Sequence, residues 1–240
     1  MMLVDTLFLA TPSYRSRAYA QAMVAADLLP ARILTLPGNE PVWDGATEVS
    51  VELSAGRPFC FRPGESVAQT FAGLNVPRIE AVSADVNSSE FIAQLATFAE
   101  PVVIFSGPGG VIVRAAALNL GKRFLHVHGG YAPQFRGSTA FYYSILDEGT
   151  IGATALWLSE VLDGGPILAR RRYAPVAGVE IDRIQDPLAR ADLLVDVLGT
   201  RRRDGCYPDG TSDGVDAHTY YVIHPVLKHV ALGRSGLLKP

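Results

Sequence analysis

Two histidines separated by a single residue are the side chains of this sequence best suited to chemistry. His126 and His128 close the apolar run FLHVH, and Asp163 follows further along the chain in the turn LDGGP. Residues i and i+2 of a β-strand point to the same face, so the two imidazoles are predicted to share one side. A histidine paired with a distant aspartate is a general acid/base unit. The chemistry predicted for this block is therefore proton transfer, with one group stabilising developing negative charge.

The same three residues admit a second kind of site. Two imidazoles and one carboxylate on one face can ligate a transition metal. A third interpretation is structural, with His126 and His128 as polar residues that merely end a strand. The glycines beside each partner, Gly129 and Gly130 among them, argue against the structural interpretation. Glycine is the residue that lets backbone pass close to a ligand or another segment.

Composition and charge restrict the class of protein. The chain has 240 residues, 48% apolar and 19% charged, which suits a globular protein with a full core. Its formal net charge of −3 gives no basic face for nucleic acid. We recognise no signal peptide and no apolar run of membrane-spanning length. Cys60 and Cys206 lack the spacing of a redox or metal motif, so we expect a cytoplasmic protein with free thiols.

The elements that must position the histidines follow an alternation of strand and helix. Strands are predicted at residues 3–10, 32–36, 79–82, 102–105 and 124–128, with helices at 15–29, 65–74, 85–98 and 113–118. This alternation predicts an α/β fold with a doubly wound, mostly parallel sheet of Rossmann-like type. Such sheets bind ligands at the carboxyl ends of their strands. The turn that starts at Ser106 and the HxH motif both fall at such ends.

The pattern changes beyond residue 175. A helix is predicted at 184–198, a hydrophilic loop at 201–216, a strand at 219–223 and a short helix at 225–232. We therefore divide the chain into a catalytic domain, residues 1–175, and a C-terminal helix and strand extension packed on it, residues 176–240. Residues 37–63 are predicted to be a loop or an edge hairpin. The apolar tail at 220–223 is consistent with a homodimer.

The block from Phe124 to Leu168 resembles the catalytic core of the formyltransferases that use 10-formyltetrahydrofolate. This family includes methionyl-tRNA, glycinamide-ribonucleotide and sugar N-formyltransferases. Its signature is Asn-x-His, then a Pro with a Gly four residues on, then Leu-Asp-x-Gly. Positions His128, Pro133, Gly137 and Asp163 match that signature. The resemblance implies a Rossmann-like formyltransferase fold, His128 as the acid/base, Asp163 as the group that holds or polarises it, and 10-formyltetrahydrofolate as co-substrate.

The resemblance also implies binding residues, and it extends more weakly upstream. The loop after the strand at 102–105 falls where the family has the loop over the pterin of the donor. Donor binding is expected at Phe105, Ser106, Gly107, Gly109, Gly110, Val111 and Leu162, and acceptor binding at Thr11, Pro12, Arg15, Gly129 and Arg136. Arg15 could receive a phosphate or carboxylate of the acceptor, or could be an ordinary helix-start residue.

The main departure from the family is His126, which stands where the family has the Asn that donates to the oxyanion of the tetrahedral intermediate. Loss of an oxyanion donor typically costs about 10²–10³ in rate, so we expect His126 to take this role. A protonated His126 would also make activity depend on pH. At 240 residues, the chain is expected to lack the oligonucleotide-binding domain of the tRNA branch. This expectation, together with the net charge, argues against a tRNA substrate.

The sequence thus predicts a biosynthetic transferase that moves a formyl group to a primary amine of a small molecule. The expected acceptors are amino-sugar nucleotides and amino-acid-derived metabolites, with no bound metal and no nucleic acid or membrane partner. Two alternatives stay open. The scaffold could be a hydrolase, either a formyltetrahydrofolate deformylase or a metal enzyme using His126, His128 and Asp163. It could also be a non-catalytic folate-binding protein that has lost the Asn.

Overall fold

A computed structural model describes residues 2–46, 48–53, 57–212 and 217–236. Parts of the predicted segments 37–63 and 201–216 lie outside the described residues, as do residues 237–240. The strands are β1 (Met2–Ala10), β2 (Leu29–Thr35), β3 (Val49–Leu53), β4 (Arg57–Phe61), β5 (Arg78–Glu80), β6 (Val102–Ser106), β7 (Arg123–His128), β8 (Arg136–Gly137), β9 (Ile151–Trp157), β10 (Ile167–Tyr173) and β11 (Thr219–Tyr220). The helices are α1 (Tyr14–Ala25), α2 (Val67–Thr70), α3 (Ser89–Ala96), α4 (Ala115–Leu118), α5 (Ala140–Glu148), α6 (Asp186–Asp204) and α7 (Pro225–Arg234), with a π-helical turn at Ile181–Gln185.

One sheet of seven strands carries the site, in the order β10-β9-β7-β6-β1-β2-β5. Strands β5, β2, β1, β6 and β7 run parallel to one another. The sheet continues with β9 antiparallel to β7 and β10 antiparallel to β9. Every residue of β6 and β9 is buried, as expected for central strands covered on both faces. The predicted doubly wound, mostly parallel α/β fold is confirmed.

Some predicted elements have different bounds in the structure. The helix expected over 65–74 is reduced to α2, a single turn held by a capping box between Ser66 and Gln69. Residues 37–63 contain the hairpin β3-β4. The prediction of a loop from residue 201 was wrong at its start. Helix α6 continues to Asp204 and ends at Gly205, which has a φ of 77°. Basic residues in the last turn are stabilised by the helix dipole, which explains why this arginine-rich stretch is helical.

Helix α6 belongs to the same core as the sheet. Leu194 and Val197 of α6 are buried with Phe8 of β1 and Met23 of α1. Further along, β11 pairs in parallel with β8, which brings the C-terminal region back to the loop that follows β7. The division of the chain at residue 175 stays a prediction. None of the described helices has the length and apolar character needed to span a bilayer.

Candidate functional site

A cleft of about 410 Å³ opens at the carboxyl ends of β6 and β7. His126, His128 and Asp163 line it together with Arg15 of α1. The two histidines are alternate residues at the carboxyl end of β7, so they point to the same face of the sheet, and both line the cleft. Asp163 arrives from the turn after β9. The structure therefore brings the three candidate chemical groups into one cavity.

The residues expected to bind the donor separate into two sets. The cleft is lined by Phe105, Gly107, Gly109, Gly110, Val111 and Leu162. Ser106 lies behind this lining, where its hydroxyl is 2.8 Å from the hydroxyl of Ser16. The lining does not include Thr11, Pro12, Gly129 or Arg136, which were expected to bind the acceptor. Among the residues expected to bind the acceptor, Arg15 is the one that lines the cleft.

His128 is held between a carbonyl and a carboxylate. Its Nε2 lies 2.8 Å from the carbonyl oxygen of Phe135, and a carbonyl only accepts, so this nitrogen carries a proton. Its Nδ1 lies 3.3 Å from Oδ2 of Asp163. The side chains of the pair are 6% and 8% exposed, which limits screening by water. A Cβ at Gly130 would collide with the Phe135 carbonyl and with Nε2, so glycine is required there for this contact.

Asp163 is an ionised carboxylate in an unusual backbone conformation. Burial alone would raise the pKa of its carboxyl, but His128, His126 and the backbone amide of Gly137 outweigh burial and lower that pKa. The Gly137 nitrogen donates to Oδ2 at 3.0 Å. The φ of Asp163 is 46°, a left-handed conformation that costs on the order of 1–3 kcal/mol for a residue other than glycine. Such strain is typical of functional turns, where the surrounding structure holds the residue in place.

His126 lies in a different electrostatic environment from His128. Its Nδ1 is 3.3 Å from the carbonyl oxygen of Phe105, so the ring donates there and Nε2 keeps its lone pair. Burial and the nearby guanidinium of Arg15 lower the pKa of His126 to about 3. The ring is consequently neutral at pH 7. In this tautomer, Nε2 of His126 accepts a hydrogen bond and does not donate one.

Arg15 brings a positive charge to the cleft. Ser13 caps α1 by accepting from the amide of Ser16, which fixes Arg15 in the first helical turn. The guanidinium donates through Nε to the Ser106 hydroxyl at 3.1 Å and through Nη2 to the Gly107 carbonyl oxygen. Burial and Arg190 lower the pKa of Arg15. Within the described part of the chain, no carboxylate forms an ion pair with this guanidinium.

Two charged residues of the cleft come from α6 and were missed by the sequence analysis. Arg190 Nε lies 2.8 Å from Oδ1 of Asp186, one helical turn earlier, and both residues line the cleft. A Cβ at Gly129 would collide with both side chains, so glycine lets the ion pair approach the end of β7. The available signal was an acid and an arginine at i,i+4 in a helix with many other charged residues, a spacing that occurs on most surface helices.

The loop after His128 is tied to the sheet by a threonine. The hydroxyl of Thr154 in β9 donates to the Gly130 carbonyl oxygen at 2.7 Å. The same hydroxyl accepts from the amide of Ala132 at 2.9 Å. Both contacts are buried, and they fix the backbone on either side of Tyr131. The loop is therefore held by β9, the strand that also leads into the turn of Asp163.

The three central residues also fit the geometry of a metal site. His126, His128 and Asp163 each offer one ligand atom, and these atoms lie within 4.8 Å of one another. Two histidines and one carboxylate form a common ligand set for transition metals. The charge on Arg15 opposes a second cation nearby, because charges interact strongly in a partly buried cleft.

Comparisons with known proteins agree on one family. The profile of the family described as formyl transferase matches residues 64–193. The methionyl-tRNA formyltransferase of Halorhodospira halophila is 30% identical over 200 residues, which are 81% of this chain and 57% of that protein. The corresponding protein of Desulfotalea psychrophila is 24% identical over 172 residues, 70% of this chain and 51% of its own length. The chain thus spans about half the length of these curated relatives.

Solved structures resemble this fold over nearly the whole chain. A sugar N-formyltransferase from a Shewanella species superimposes with a TM-score of 0.60 at 15% identity, covering 97% of this chain and 88% of that one. HypX from Aquifex aeolicus in complex with tetrahydrofolic acid gives a TM-score of 0.55 at 13% identity, covering 93% and 30%. At these identities the likeness is one of fold.

Proposed function

Because this chain belongs to the formyl transferase family, we propose that it transfers a formyl group from 10-formyltetrahydrofolate to the primary amine of a small molecule. The observation that carries this proposal is the buried His128–Asp163 pair, with 3.3 Å between Nδ1 and Oδ2, at the wall of the cleft. Amino-sugar nucleotides and amino-acid-derived metabolites are the proposed acceptors. A cytoplasmic location and the absence of a nucleic acid partner belong to the same proposal.

The donor would lie along the glycine-containing loop between Phe105 and Val111. This loop lines the cleft beside His126 and His128, so a formyl group carried there would be close to both imidazoles. The absence of side chains at Gly109 and Gly110 leaves space for a flat ring system, whereas the space beside Gly107 is filled by the ring of Phe105. The fold likeness to a protein solved with tetrahydrofolic acid supports folate as the carrier.

In the reaction, the acceptor nitrogen attacks the formyl carbon and forms a C–N bond while the carbonyl oxygen becomes an oxyanion. The intermediate then breaks its bond to the folate nitrogen, which must gain a proton while the acceptor nitrogen loses one. Nδ1 of His128 is the position for this proton, because ionised Asp163 beside it stabilises a charged imidazole. Low water access in the cleft strengthens these interactions.

His126 is proposed to act on the acceptor amine. A role as oxyanion donor would require Nε2 to carry a proton, whereas the lowered pKa keeps the ring neutral and the Phe105 contact favours the proton on Nδ1. An acceptor at Nε2 can take a hydrogen bond from the amine and direct its lone pair towards the formyl carbon. Stabilisation of the oxyanion then comes from the protonated His128 and the nearby Arg15.

Arg15 supports an acceptor that carries a negative charge. The guanidinium of Arg15 is partly buried and forms no ion pair among the described residues, so a phosphate or carboxylate of the substrate could pair with it. In a screen of primary amines we therefore expect turnover with anionic amines and little with neutral amines of the same size. Equal turnover of both classes would remove this role of Arg15.

Isothermal titration with 5-formyltetrahydrofolate, a stable substitute for the donor, tests the proposal first. We expect micromolar binding at one site per chain, followed by formylated product from 10-formyltetrahydrofolate and an amine of the screen, detected by mass spectrometry. A folded protein that does not bind the folate would overturn the proposal. Binding without turnover of any amine would favour the non-catalytic folate-binding alternative. Release of formate without an amine would identify a deformylase.

The metal-ligand geometry of His126, His128 and Asp163 favours one second candidate, a metal-dependent hydrolase. Zinc near one equivalent in the purified protein, with loss of activity on chelation and recovery on readdition, would support this function. Full formyl transfer in the presence of a chelator would exclude it. The homodimer stays a prediction, to be checked by sedimentation.

A further inference from the structure

We propose that the backbone of residues 218–223, called here the tail segment, and the side chain of Tyr220 position the catalytic pair. They would act through residues 135–139, called here the orienting loop, and would not touch the substrate. This inference rests on the proposed function for its kinetic test, whereas its structural test is independent of activity. It assigns a specific task to a segment that the sequence predicts only as an apolar strand in an extension.

The orienting loop supplies one hydrogen bond to each member of the catalytic pair. His128 Nε2 donates to the Phe135 carbonyl oxygen at 2.8 Å. The Gly137 amide donates to Asp163 Oδ2 at 3.0 Å. Both contacts are made by backbone groups, two residues apart. The position of this short stretch of main chain therefore sets the orientation of both reacting side chains.

The tail segment in turn holds the orienting loop. The amide of Arg136 donates to the His218 carbonyl oxygen at 3.0 Å, and the amide of Ser138 donates to that of Tyr220 at 2.9 Å. These bonds belong to the parallel pairing of β8 with β11. In the described part of the chain, β11 is the sole strand that pairs with β8. The extended backbone around Gly137 therefore depends on the tail.

Side-chain packing reinforces this pairing. The ring of Tyr220 is stacked between Phe135, with 5.7 Å between ring centroids, and Tyr143 of α5, with 4.3 Å. Gly137 has a φ of 93°, and a Cβ there would collide with the Tyr220 carbonyl oxygen. Tyr221, the next residue, is 82% exposed. Tyr220 and Tyr221 thus offer the same side chain in two environments, one packed on the orienting loop and one in solvent.

Replacing each tyrosine separately tests the proposal. We expect Tyr220→Ala to lower kcat for formyl transfer by about 10- to 100-fold, because a misplacement of about 1 Å has effects of this size. The KM for the donor should stay unchanged, since the loop at residues 106–111 is not altered. Tyr221→Ala and the stacking-competent Tyr220→Phe should retain the kcat of the unaltered protein. A folded Tyr220→Ala with full kcat would overturn the proposal.

Imidazole nitrogen shifts of His128, measured by long-range ¹H–¹⁵N NMR, give a readout that does not need turnover. We expect them to move in Tyr220→Ala and to stay in place in Tyr221→Ala. If Tyr220→Ala fails to fold, Tyr220→Leu keeps apolar volume without the stacked ring and replaces it in both measurements. Unchanged His128 shifts in folded Tyr220→Ala or Tyr220→Leu would overturn the positioning role even if no amine is ever formylated. Absence of turnover in the unaltered protein would instead count against the proposed function.

Discussion

The segment from residue 124 to 168 and the C-terminal region from 176 to 236 contribute to the same cleft in different ways. The first carries the groups proposed to react, His126, His128 and Asp163. The second carries an ion pair, Asp186–Arg190, that lines the cleft, and β11, which holds the loop beside the catalytic pair. Reacting groups are recognisable by residue type and spacing. Supporting groups are ordinary residues whose task is defined by the neighbours they contact.

The two histidines show how such neighbours determine chemistry. His126 and His128 are identical side chains at the end of one strand, yet one faces a carboxylate and the other a guanidinium. Placing two like side chains in different environments is a common way to give them distinct roles at one pH. The strand supplies the imidazoles, and Asp163 and Arg15 differentiate them.

The largest effect is expected from the reacting pair. His128→Ala and Asp163→Asn should each lower kcat by about 10²–10⁴, the usual contribution of a positioned acid/base group. Binding of 5-formyltetrahydrofolate, measured by calorimetry, should survive in both variants. If either variant turns over at the rate of the unaltered protein, the first segment does not carry the reacting groups.

The ion pair of α6 should matter chiefly for stability. Arg190→Met leaves Asp186 buried without its partner, which should lower the free energy of unfolding by about 3–5 kcal/mol. The double variant Arg190→Met with Asp186→Leu removes both charges. It should recover most of that loss because apolar groups then replace the pair. Urea denaturation of the three proteins measures the difference. A double variant as unstable as the single one would contradict this account of the pair.

Alanine substitutions at two glycines distinguish the effect of a close tertiary contact on stability from the effect of helix propensity. Gly129→Ala should lower the free energy of unfolding by about 1–3 kcal/mol, because its methyl group displaces Arg190 and Asp186. Gly199→Ala in α6 has open space around the new methyl group and should stabilise by about 0.4–1 kcal/mol. Thermal unfolding of both variants checks the opposite signs. A stabilising Gly129→Ala would mean that the ion pair moves aside at little cost.

A last effect is expected in the pH dependence of stability at His126. Its folded-state pKa of about 3 lies below the ordinary value of 6.5, so the unfolded chain binds this proton first on acidification. The free energy of unfolding should therefore fall as pH drops from 6.5 towards 3. His126→Asn should show a shallower fall. Parallel curves for His126→Asn and the unaltered protein would rule out a strongly lowered pKa.

Sequence reasoning reached the sheet and the central residues because both leave local patterns. Apolar runs mark β1, β6 and β7, and HxH with LDGGP marks the groups proposed to react. Arg190 was not predicted from the sequence, because its position in the cleft depends on Gly129 lying against it. The acceptor state of His126 was equally inaccessible, because it depends on which carbonyl faces Nδ1. The helical continuation to Asp204 was missed because charged residues alone resemble a loop, while the helix dipole favours arginines there.

The pairing of β8 with β11 has a consequence for the time at which the protein acquires activity. The contact between Thr139 and Ile223 joins residues 84 positions apart. Ribosomes add about 5–20 residues per second, so the tail segment emerges about 4–17 seconds after the loop it supports. Pairing over such separations is also slow to form. In the positioning role proposed for the tail segment, a growing chain therefore contains both histidines for this interval before it can orient them.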